Sequence, residues 1–148
     1  MALDVMANVK ITAAHPDGEV FAEREIKNLV VTAGFEWVKG VIHDDADSEA
    51  GVNFMDWTSI GDDNTAPAAG QTDLISAQGS RTAGTYASGA TGVCTITGLH
   101  VAGGTWGIVE AGLHAETSSG AMLARVIFSV INLSASDELT VEWTITYS

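Results

Sequence analysis

The chain reads as a mainly β protein, an antiparallel β-sandwich or jelly-roll-like barrel with one short helix. Two stretches and one composition fact predict this. In the last ten residues Leu139, Val141, Trp143, Ile145 and Tyr147 alternate with Thr140, Glu142, Thr144, Thr146 and Ser148. A period of two marks a strand with one face in a core. Just before it, Met122–Ile131 is β-branched and apolar at both parities, as in a strand covered on both faces. Sixteen glycines against two prolines indicate many tight turns rather than rigid linkers.

Taken in order, Val5–Thr12 alternates and predicts a first strand, closed by the turn His15-Pro16-Asp17-Gly18. Glu19–Glu23 and Ile26–Val31 read as two further strands. The period then changes: Phe35, Val38, Val41 and Ile42 share a helical face, and Thr32 is a suitable N-cap, so Thr32–Ile42 predicts a helix lidding one end of the core. His43–Gly51 is an acidic loop, and Phe54–Ile60 returns to strand. Gly61–Asp73 has no apolar period and predicts an ordered surface loop or a single helical turn. Ser80–Tyr86 and Gly92–His100 form a hairpin around Ala87–Thr91, and Trp106–His114 is another strand. Asn132–Glu138 is turn-rich, so the strands on either side of it are expected to pair with each other, with the terminal one in a central position.

At 148 residues the chain is expected to form a single β-sandwich domain, residues 1–148. Nineteen acids against six bases give a net charge of −13. The bases Lys10, Arg24, Lys27, Lys39, Arg81 and Arg125 are scattered, which argues against nucleic-acid binding. The single cysteine, Cys94, has no internal disulfide partner and sits in an alternating run as a small hydrophobe. The N-terminus lacks a basic segment followed by an apolar core, and no apolar run approaches the ~18 residues that cross a bilayer. A soluble protein made in the cytoplasm, with no membrane partner, is the expectation.

Chemistry-bearing residues are sparse. Asp44, Asp45, Asp47 and Glu49 offer oxygens for Ca²⁺ but lack the glycine and terminal glutamate of an EF-hand loop, and a solvated acidic loop explains them better. Asp62-Asp63-Asn64 reads the same way. His15, His43, His100 and His114 show no ligand spacing, so no metal and no cofactor is expected. Glu110 and Arg125 each interrupt an apolar strand. Buried charges are costly unless paired, which predicts a structural ion pair across the sheet. Glu110 as a general acid has no second carboxylate or histidine at an arguable distance. Ser59 lacks the turn of a nucleophile elbow. Trp37, Trp57, Trp106 and Trp143 suit anchoring in a core or interface. No catalytic residue is predicted, and the chain reads as a non-enzyme.

The order of several segments resembles small tailed-bacteriophage virion proteins. Asn28–Trp37 is similar to the segment with the helix start in that pattern, and Trp57–Ala68 to the segment with its loop of glycines ending in Ala-Pro. Arg81, Glu110-Ala111-Gly112-Leu113, Met122–Ser129 and an alternating final strand follow in the same order. The likeness spans roughly residues 26–147, and the loop departs from it with Asp62-Asp63 where glycine and threonine are common.

The resemblance implies a non-enzymatic structural part of the virion. The leading expectation is a decoration or cement protein, a homo-oligomer bound to the major capsid protein on the capsid surface. Met122, Val126, Phe128 and Val130 are the expected assembly interface. A tail, collar or fibre-base protein is the alternative, and a carbohydrate-binding adhesin a further one.

Overall fold

A computed structural model describes residues 5–30, 55–119 and 122–147. The described residues form nine strands: β1 (Val5–Ala14), β2 (Val20–Val30), β3 (Trp57–Gly61), β4 (Thr82–Ala83), β5 (Thr85–Ser88), β6 (Val93–Val101), β7 (Trp106–His114), β8 (Met122–Leu133) and β9 (Glu138–Tyr147). Every pairing is antiparallel, in the order β4-β3-β7-β8-β2-β1-β9-β6-β5. The order bends into two facing sheets, a sandwich rather than a closed barrel. Strand β2 makes the corner: most of it pairs with β1, while Leu29 and Val30 pair with Arg125 and Ala124 of β8. The two segments expected between residues 19 and 31 are thus one continuous strand. The expected helix Thr32–Ile42, with Trp37 in it, and the acidic loop His43–Gly51 lie outside the described residues.

The first sheet is built by the alternation that predicts it. Ala7, Val9, Ile11 and Ala13 of β1 and Leu139, Val141, Trp143 and Ile145 of β9 are all buried. Register pairs Ala7 with Ile145 and Val9 with Trp143, so small residues lie opposite large ones. Trp143 is also opposite Ile96 of β6 and is fully buried. Strand β9 is central, between β1 and β6.

It does not pair with β8, contrary to expectation: β8 lies in the other sheet, between β7 and β2. The connector 134–137 is an arch between sheets. Asp137 Oδ2 accepts from the Ser134 amide at 2.8 Å, and Ser136, at φ 73°, donates its amide to the Ala102 carbonyl. Ala102 donates back to the Asp137 carbonyl, tying this arch to the β6–β7 connection. His15 Nδ1 lies 2.9 Å from Asp137 Oδ1, so the β1–β2 turn joins the same cap.

In the second sheet β7 and β8 lose register between Ile108 and Glu110. Ile108, Ile131 and Leu133 join the core on one side of this irregularity, and Ala111, Leu113, Ala124 and Val126 on the other. The inward parity therefore switches, as bulges do when they re-aim side chains. Glu110, Gly112 and Arg125 consequently stand on the outer face. That face is covered by the segment 62–81, an ordered strap without a helical turn, which returns along β3 through the Gly61–Ala77 bridge.

Candidate functional site

The outer face of the second sheet, beneath the strap, collects most of the buried polar groups. Arg125 Nε donates to Glu110 Oε2 at 2.7 Å, and both side chains are fully buried. The pairing is diagonal, since Glu110 lies opposite Ile127 and Arg125 opposite Gly112. The rest of each charge is taken up by the strap. Arg125 donates to the Thr65 carbonyl at 2.8 Å, to Gln71 Oε1 at 3.3 Å and to the Asp63 carbonyl at 3.3 Å. Glu110 Oε1 accepts from the Ser76 amide at 3.1 Å.

Such saturation is what makes a buried ion pair tolerable. It also removes Glu110 from acid–base chemistry, because both oxygens are engaged and no solvent reaches them. Gly61 is required here by space, since a Cβ at that position would overlap the Glu110 carboxylate and the Ser76 carbonyl.

A second polar group lies along the same face. Ser59 of β3 and His114 of β7 meet with Oγ 2.6 Å from Nε2. They reach each other because Gly112, opposite Ser59, has no side chain: a Cβ there would lie 2.7 Å from His114 Nε2 and 2.8 Å from Ser59 Oγ. His114 is fully buried and its Nδ1 has no hydrogen-bond partner, with Asp73 Oδ1 4.0 Å away. Arg81 pairs with that carboxylate at 3.0 Å and donates to the carbonyls of Glu116 and Ser119. Burial, with Arg81 adding to it, drives the His114 pKa down to about 4.

Between the sheets, His100 lies with Nε2 2.9 Å from Thr58 Oγ1 and Nδ1 3.2 Å from Thr82 Oγ1, and burial lowers its pKa to about 4 as well. At the end of the sandwich the hydrogen bond between His15 and Asp137 raises the histidine's pKa and lowers that of the carboxyl.

The acidic and histidine side chains considered as metal ligands do not gather among the described residues. Asp62 accepts from Gln78 Nε2 at 2.7 Å, and Asp63 from the Thr65 amide at 2.8 Å. Asp44, Asp45, Asp47, Glu49 and His43 lie outside the described residues. Among the described residues no cluster of three or more metal-ligating side chains exists.

The expected assembly interface needs correction. Met122 and Val126 are buried in the chain's own interior, because the strap and the facing sheet cover both sides of β8, so neither offers surface to a second chain. Phe128 is half-buried against the core, and Val130, 48 % exposed, is the accessible member of the four. Trp143 is core, whereas Trp57 and Trp106 are half-buried.

The Ser59–His114 contact is not legible in the sequence. The two residues are 55 apart in the chain, and no motif links them. Gly112, two before His114, was the one local signal. Comparison of the chain with family models, with curated proteins and with solved structures finds no match.

Proposed function

We propose that the protein is a structural component of a tailed-phage virion, a decoration or cement protein that binds the major capsid protein from outside and stabilises the shell. One observation carries this reading. Four members of that pattern, the Ile60–Pro67 loop, Arg81, Glu110-Ala111-Gly112-Leu113 and Met122–Ser129, are distant in sequence, yet they meet in one packing unit. The loop after Ile60 supplies the Asp63 and Thr65 carbonyls to Arg125, the Glu110-Ala111-Gly112 strand supplies its counter-charge, and Arg81 fastens Asp73 of the same strap. In this chain these members of the pattern therefore serve one structural task, fastening the strap to the second sheet.

The charge distribution agrees with an outward position. Among the described bases Arg125 is fully buried, Arg81 is nearly so and paired with Asp73, Lys10 pairs with Glu23 at 3.5 Å and Arg24 bonds Ser129, while Lys27 is exposed. The positive charge at the surface is thus scattered, against a net charge of −13. Leu99 and Val101, successive outward residues of β6, stand exposed at one end of the first sheet, and Val130 is exposed on β8. These are among the exposed apolar positions available for docking and for self-association, with Val20, Ile75 and Tyr86.

A ligand that binds only the assembled shell stabilises it by mass action. The experiment is the copy number of this chain in purified particles, measured by quantitative mass spectrometry against the major capsid protein. A simple ratio to the capsid protein supports the reading. A handful of copies points instead to the tail or collar, and absence from particles overturns the virion assignment.

A further inference from the structure

A pocket of about 250 Å³ opens beside the strap, with Ser59 in its wall and Asp73, Gly79, Arg81 and Ser118 around it. We propose that Ser59 and His114 are a nucleophile and its general base, that Asp73 positions the base, and that the pocket cleaves esters of small acyl groups. This activity is additional to the shell-binding role and does not depend on it.

Hydroxyl and imidazole lie within hydrogen-bond reach, as in an activated nucleophile, and the Asp73 carboxylate, held by Arg81 and the Leu74 amide, lies 4.0 Å from the far nitrogen of the ring. If Ser59 donates to Nε2, the ring proton must sit on Nδ1, the nitrogen that faces Asp73. A merely structural histidine at full burial is expected to have both nitrogens satisfied, and Nδ1 of His114 is not. Asp73 is exposed, and a shift of about 1 Å brings it into bonding range, the kind of loosening common in unliganded sites. Arg81, paired with Asp73, lines the same pocket.

In the first step Ser59 Oγ bonds to the acyl carbon while its proton passes to His114 Nε2. The carbon–oxygen bond to the alcohol then breaks, and the alcohol leaves with that proton. Water repeats the sequence on the acyl-serine, releasing the carboxylic acid and restoring Ser59. The pocket's volume admits an acyl group of acetyl size.

The test uses the intact protein with a fluorophosphonate probe, read by whole-protein mass and peptide mapping, and with p-nitrophenyl acetate as substrate. The expected result is one adduct per chain, on Ser59, and ester hydrolysis that falls about 100-fold in Ser59→Ala and in His114→Gln. Absence of an adduct on Ser59, or hydrolysis unchanged in Ser59→Ala, overturns the proposal. Labelling of the wild-type chain decides the matter even if a variant fails to fold.

Discussion

Replacing Glu110 with glutamine keeps the side chain's size and removes its charge, and it tests the polar cluster at its centre. Arg125 would remain fully buried with only the Asp63 carboxylate, 3.9 Å away, as a counter-charge. Removing one partner of a buried pair costs about 3–5 kcal/mol, and the Asp63 contact favours the lower end, about 3 kcal/mol. In a domain of this size each kcal/mol moves the melting temperature by roughly 2–4 °C, so Glu110→Gln is expected to lower it by roughly 6–12 °C.

Because the pair also holds Thr65, Gln71 and Ser76, cleavage of the strap by thermolysin should quicken in the same variant. Arg125→Met alone strands the Glu110 carboxylate and should cost a similar amount. The double variant Glu110→Gln/Arg125→Met loses both charges, and a coupling of about 2 kcal/mol is expected from the cycle in urea denaturation. Single variants losing under about 1 kcal/mol, or effects that simply add, would refute the argument that this pair fastens the strap.

Acid is the second perturbation. His100 and His114 have folded-state pKa values of about 4, below the ordinary 6.5, so the unfolded chain binds more protons between those limits. Stability is therefore full above pH 6.5 and falls as pH drops toward 4, by roughly 3 kcal/mol for each histidine. Urea midpoints equal at neutral pH and near the bottom of that window would contradict this. His15 acts in the opposite direction: its pKa is raised by Asp137, so its contribution is present below 6.5 and disappears as pH rises through the raised value. Gly112→Ala inserts a methyl among His114, Ser59 and Leu74 with contacts of 2.7–3.0 Å, and a loss of about 1–3 kcal/mol is expected in thermal or urea melts. A neutral effect there would mean that the outer face is looser than its geometry implies.

What could be read in advance follows the range of the forces involved. Alternation in β1 and β9 is local, and it marked Ala7–Ala13 and Leu139–Ile145 as inward. The double-sided apolarity of β8 was also local, yet its cause was not: the strap that covers its outer face begins some sixty residues earlier. For that reason Met122 and Val126 read in the sequence as an assembly surface, although the chain buries them itself. Pairing order was misjudged at the β8–β9 connection because an arch and a hairpin use similar turn residues. The difference lies in tertiary bonds from Asp137 to His15 and between Ala102 and the arch. Glu110 and Arg125 stood out because an isolated charge in an apolar strand has few tolerable solutions. Ser59, His114 and Asp73 carry no such anomaly singly, and only the β3–β7 register and the gap left by Gly112 bring them together.

The central claim, attachment to the outside of a phage shell, is tested most directly by reconstitution. Shells stripped of this protein are melted alone and after adding the purified chain, with binding followed by co-sedimentation. The account predicts saturable binding and a higher melting temperature for the decorated shells, lost when apolar Leu99, Val101 and Val130 are replaced by charged residues. Stripped and supplemented shells that melt together, with the protein left in the supernatant, would contradict it.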